Sequence, residues 1–183
     1  MRDRVSRVTS RTALSDKLPC LDLLEATRAI RRALMAEISD EDAGWKPAQD
    51  RFSIAEVLSH LSHSEWHCYR ARVDRFLSEE MPELEPDDAQ MHLELYKNAD
   101  PEEAFGHFED QRELNVELLR GLPAAAGHRK ALHRAAGEIT LSQMLHESAL
   151  HDLGHMRQIG ELVRARRYLA GPGPLGEEYK LKP

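Results

Sequence analysis

"TLSQMLHESALHDLGHMRQIGEL", residues 140–162, decides the fold class of this 183-residue chain. Thr140 and Gln143 are spaced as a capping box, in which each side chain satisfies the other's backbone N–H at a helix start. Behind them Leu141, Met144, Leu145, Met156, Ile159, Leu162 and Val163 form one apolar arc at helical period. The spacing predicts a helix from Thr140 to about Arg167, where "GPGPLG" forbids its continuation.

Three other stretches carry the same period. "CLDLLEATRAIRRALMAEI" predicts a helix over about residues 20–38, ending before a "SDEDAGWKP" loop broken by Gly44 and Pro47. "SIAE" repeats the capping-box spacing at Ser53 and Glu56 and opens a helix to about Leu77. "DPEE" places Asp100 as a cap, Pro101 in the first turn and Glu102 and Glu103 at the positive end of the dipole, with a stop near Gly121 and Pro123. No alternating β-branched run argues for a strand. The expectation is an all-α four-helix bundle over residues 20–170, with a leader at 1–19 and a tail at 171–183. Two longer connections, about 80–99 and 122–139, are able to cross over the bundle.

Composition narrows the function. A chain of this length buries a core without staples, so a metal here would be functional rather than structural. Cys20 and Cys68 form no paired framework and read as free thiols, which fits a reducing, cytoplasmic setting. No apolar run reaches the roughly 18 residues of a membrane span. The net charge of −7 argues against nucleic acid, because clustered Lys and Arg occur only in the leader, at Arg2, Arg4, Arg7, Arg11 and Lys17. "EEMPELEPDD" at 79–88 reads as a solvated acidic loop. There is no phosphate loop and no nucleophile elbow, and Trp45 and Trp66 read as core or loop anchors.

The histidines carry the chemistry. Each residue of an ideal helix turns about 100°, so His151 and His155 lie about 40° apart and one turn apart, and two imidazoles can face one ion. His146 lies about 140° from His151 and reads as a bystander. On the second helix His60, His63 and His67 fall within about 60° of one another, and spacing does not choose among them as a third ligand. Glu147, one turn before His151, and Gln158, three residues after His155, are placed to orient an imidazole or meet a molecule bound at the site. Glu65 lies within the apolar arc of the second helix, where a carboxylate needs a partner such as an arginine.

"WKPAQDRFSIAEVLSHLSHSE", followed some ninety residues later by "TLSQMLHESALHDLGHMRQIGEL", resembles the DinB/YfiT-like superfamily of metal-binding four-helix bundles over roughly residues 20–167. The "SIAEVLSHL" phrase matches the family's ligand histidine at His60, and the "HDLGHMRQI" phrase matches two more at His151 and His155. Phe52 stands where members usually carry Trp. The resemblance implies a three-histidine site for a divalent metal, zinc first and nickel second, and a homodimer. Its activity would be transfer of a low-molecular-weight thiol to small electrophiles. Metal-dependent hydrolysis and a non-catalytic, damage-induced metal-binding role are the alternatives. The expected partners are a small thiol and an electrophile, with no nucleic acid and no membrane.

Overall fold

A computed structural model describes residues 17–87, 95–97 and 99–179; the basic leader, apart from its last residues, lies outside them. Four long helical rods make the bundle: α1 (Leu21–Met35), the pair α3 (Ile54–His63) and α4 (Ala71–Ser78), α5 (Pro101–Arg120) and α6 (Leu141–Val163). The caps form where their residue types dictate. Ser53 and Glu56 close a reciprocal box, as do Thr140 and Gln143, and the Asp100 side chain accepts from the Glu103 N–H. Both α1 and α3 pack against α5 and α6, so these two consecutive rods sit diagonally across the bundle.

Three features depart from the sequence expectation. The "SDEDAGWKP" stretch holds a short helix, α2 (Asp40–Gly44), because Ser39 accepts from the Asp42 N–H and caps it. The second long helix is not uniform: α3 and α4 are joined through a π-helical segment, Ser64–Arg70, whose wider turn shifts the phase of every side chain beyond His63. The two long connections also pair with each other. β1 (Glu83–Leu84) lies parallel to β2 (Lys130–His133), which is antiparallel to β3 (Gly137–Thr140). The absence of strands is thus overturned, and the acidic stretch is no plain loop, since Leu84 is buried in the core. Three loop residues join β2 to β3, and Gly137, which opens β3, sits at φ +78°, a conformation that favours glycine.

The core has two apolar ends with a polar layer between them. One end gathers Leu21, Val73, Phe76, Leu84, Leu141 and Leu145 under the sheet, and the other gathers Ile54, Leu58, Leu61, Phe108, Ile159 and Leu162. Along each rod the residues between these ends are polar and buried: Thr27 and Arg31 on α1, Glu65 in the π segment, Arg112 and Asn115 on α5, Ser148 and Asp152 on α6. Trp45 packs against the core, with Arg166 over its ring, whereas Trp66 is half exposed and lies outside both core clusters. Both cysteines are free thiols. No described helix is long and apolar enough to cross a membrane.

Candidate metal centre

His60, in the last turn of α3, faces His151 and His155 in the middle of α6. The His60 Nε2 lies 3.0 Å from the His151 Nε2, which lies 3.2 Å from the His155 Nε2. One ligand atom from each of the three falls within 4.8 Å of the others, a group able to hold a metal ion. His60 is buried and the other two are partly so. Burial, reinforced by the neighbouring His155 and His60, drives the His151 pKa down to about 3. The His155 pKa is lowered by burial too, against the Gln158 hydrogen bond that raises it. The His151 and His155 rings are therefore neutral at ordinary pH and have lone pairs to give, which is what a cation requires of imidazole.

Surrounding groups fix the rings. Gln158 Oε1 lies 2.9 Å from His155 Nδ1; with the proton on Nδ1 the amide oxygen accepts it, and Nε2 is left as the donor atom to the cluster. Phe52 and Tyr96 flank His60, Tyr96 edge-on at 5.6 Å between ring centroids. Glu147 does not reach an imidazole. Its carboxylate accepts from the Tyr69 hydroxyl at 3.0 Å, and the Tyr69 ring stands edge-on to His151 at 5.9 Å. Burial and the Glu147 charge hold the Tyr69 phenol above its usual range, so it stays a donor. Glu147 also lines a cavity of about 330 Å³ between the sheet and the bundle, with Arg72, Ile139, Gln143 and Met144. The Cys68 thiol is pushed up to about 12, chiefly by burial, so it is no nucleophile at neutral pH.

The other three histidines weighed from the sequence go elsewhere. His146 is exposed, with Nδ1 2.7 Å from the Ser142 carbonyl, and His63 and His67 stack on each other at 4.4 Å, away from the three-histidine group.

Beneath the cluster lies a buried ion network that sequence reasoning met only at Glu65. Asp152, beside His151, accepts from Thr27 Oγ1 at 2.5 Å, Arg31 at 2.8 Å, and Arg112 at 2.6 and 2.9 Å. Arg112 also donates to Glu65 at 2.5 Å, the arginine partner that position demanded, and Asn115 donates to the second Glu65 oxygen at 2.8 Å. Phe108 lies under both guanidiniums, 4.5 and 5.0 Å from its centroid. Burial alone would raise the Asp152 pKa; the Arg112 hydrogen bond and the two arginine charges outweigh it and hold the carboxylate ionised. Asp152 falls about 20° from Leu141 on an ideal wheel, inside the apolar arc, the same signal that marked Glu65. The network clamps the turn of α6 that carries His151 to α1, α5 and the π segment.

The DinB superfamily profile matches residues 23–159, a span that includes all three histidines. The chain belongs to the DinB superfamily. Among solved structures, YfiT from Bacillus subtilis, described as a probable metal-dependent hydrolase with an unusual four-helix bundle topology, superposes with a TM-score of 0.71 at 24% identity, covering 89% of this chain and 93% of that one. The superposition shows that this DinB member shares the four-helix bundle fold of YfiT. No curated protein matches the chain.

Proposed function

We propose that His60, His151 and His155 hold a divalent ion, zinc or nickel, and that the protein is a metal-dependent enzyme transferring a low-molecular-weight thiol to a small electrophile. The observation that carries this reading is the convergence of three imidazoles from two helices, with no carboxylate in the cluster. The donor set suits borderline ions and disfavours calcium or magnesium, which take oxygen ligands. Held by neutral ligands, such an ion keeps its charge and supplies Lewis-acid activation of a thiol or of water at neutral pH.

The chain's own residues do the rest. Gln158 keeps His155 in one tautomer, and the Asp152 network keeps His151 in place. Glu147, which accepts from Tyr69 and lines the cavity between the sheet and the bundle, is the carboxylate we assign to take up the proton that the nucleophile releases. The apolar wall at Ile139 and Met144 would seat the electrophile.

Hydrolysis is the second reading, favoured by the Glu147 carboxylate and by the probable hydrolase activity given for YfiT. Metal-loaded protein with a chromogenic electrophile, with and without added thiol, separates the two. Turnover that requires the thiol and vanishes in His151→Ala supports transfer, and thiol-independent turnover replaces it with hydrolysis. No turnover in either condition, with the metal retained, overturns the enzyme reading in favour of a non-catalytic metal-binding protein.

A further inference from the structure

Within the polar layer, among the described residues, only Arg31 is completely buried and still has hydrogen-bond donors without a partner. A single nitrogen does all its bonding: Nη2 donates to Asp152 Oδ1 at 2.8 Å and to the Asp152 carbonyl oxygen at 3.3 Å. Nε and Nη1 bond to nothing, and the face of the guanidinium rests on the Phe108 ring, 4.5 Å from its centroid. Arg112, by contrast, spends both terminal nitrogens, on Leu24, Thr27, Asp152 and Glu65. A dry cation with unused donors is costly. Nor does Asp152 need it for hydrogen bonds, since Thr27 and both Arg112 nitrogens already donate to that carboxylate. The cost points to a use for the charge itself.

That charge lies beside two of the candidate ligands. Burial does most to disfavour protonation of His151 and His155, with the neighbouring imidazoles adding to it at His151, but the Arg31 charge is felt at both. At His155 it outweighs the opposing Asp152 charge; at His151 Asp152 outweighs it. Arg31 and Arg112 together balance Glu65 and Asp152, so the layer beneath the cluster is neutral with Arg31 and anionic without it. By Coulomb's law an anionic layer would draw a dication in and offset part of its charge, and charges this deeply buried are screened little by salt.

We propose that Arg31 sets the charge beneath the metal centre: its buried guanidinium neutralises the layer under His60, His151 and His155, so that the site holds its dication less tightly and leaves it more electron-demanding. The proposal rests on the reading that the three histidines hold an ion. Arg31 bonds to none of their nitrogens; it is a positioning residue that acts through Asp152 and through its field. The ion supplies Lewis-acid activation, and a neutral layer leaves that activation undiminished.

The test is competition for zinc between a chromophoric chelator and the full, chelator-treated chain at neutral pH. Arg31→Met keeps an unbranched stem over Phe108 and removes the charge; it should bind zinc at least about tenfold more tightly than the wild type. The difference should persist at high salt. Arg31→Lys restores the charge and should return the affinity to near the wild-type value, a rescue that a packing role does not predict. Glu65→Gln shifts the layer the other way and should weaken zinc binding. Unchanged or weaker binding in Arg31→Met, or binding as tight in Arg31→Lys as in Arg31→Met, overturns the proposal and leaves the three-histidine centre standing. If Arg31→Met does not fold, Glu65→Gln decides: weaker binding supports the proposal and unchanged or tighter binding overturns it. A wild type that takes up no zinc overturns it together with the proposed function.

Discussion

Replacing Asp152 by alanine tests whether the layer between the two apolar ends of the core works as a balanced ionic unit. Arg31, Arg112, Glu65 and Asp152 are all nearly inaccessible, at 0%, 2%, 3% and 1% exposure, and their formal charges cancel. Asp152→Ala removes the acceptor of two guanidiniums and one hydroxyl and leaves an excess buried positive charge, with Glu65 still neutralising Arg112. Breaking a buried pair by removing one partner costs about 3–5 kcal/mol. For a domain of this size that is a fall in Tm of roughly 10 °C. Urea unfolding of chelator-treated protein measures it without a contribution from bound metal. Glu65→Gln should cost less, because Arg112 keeps Asp152 and Asn115 keeps an oxygen to donate to. Adding Arg31→Met to Asp152→Ala should recover part of the loss, since it removes the stranded cation next to Phe108. A loss under about 1 kcal/mol for Asp152→Ala, the range of exposed pairs, would refute the reasoning.

Other outcomes follow from the cluster. His151 is neutral in the folded chain down to a pKa of about 3 but titrates near its ordinary value when unfolded, so the unfolded state binds the extra proton. The metal-free protein should therefore lose stability as pH falls below about 6.5, by up to about 1.4 kcal/mol per pH unit for this group; urea midpoints of wild type against His151→Ala between pH 7 and pH 5 should show a shallower slope in the variant. Gln158→Ala should weaken metal affinity about 10–100-fold by releasing His155 Nδ1, as read by competition with a chromophoric chelator, and unchanged affinity would remove Gln158 from the site. Tyr69→Phe should lower turnover while leaving metal content intact; equal activity would take the Tyr69–Glu147 pair out of the reaction. Cys20, the N-cap of α1, sits at φ +67° with no side-chain cap bond, so Cys20→Gly should raise stability by about 0.5–1 kcal/mol in thermal unfolding, and a loss would contradict strain at that position.

Much of the bundle was legible because its helix starts are written in side chains. Ser53 with Glu56, Asp100 with Pro101, and Thr140 with Gln143 announce their helices locally, and the ends follow from Gly121 and "GPGPLG". The sheet was not legible, because its strands are two to four residues long and too short for period to register, and they form by pairing two segments nearly fifty residues apart. An ideal wheel placed His60, His63 and His67 on one face. From the last turn of α3 His60 turns to the cluster, while His63 and, in the π segment, His67 line a separate cavity against α5. Glu65 betrayed the buried network because it interrupts an apolar arc. Asp152 interrupts another, and only the folded chain connects the two through Arg112.

The account rests on an ion between His60, His151 and His155. Its most direct test is elemental analysis of tag-free protein dialysed exhaustively against metal-free buffer, beside the His60→Ala, His151→Ala, His155→Ala and His146→Ala forms. About one zinc or nickel ion per chain, lost in the first three variants and kept in the fourth, is the predicted result. No ion in the wild type after reconstitution with zinc or nickel, or retention in His151→Ala equal to that in His146→Ala, would contradict it.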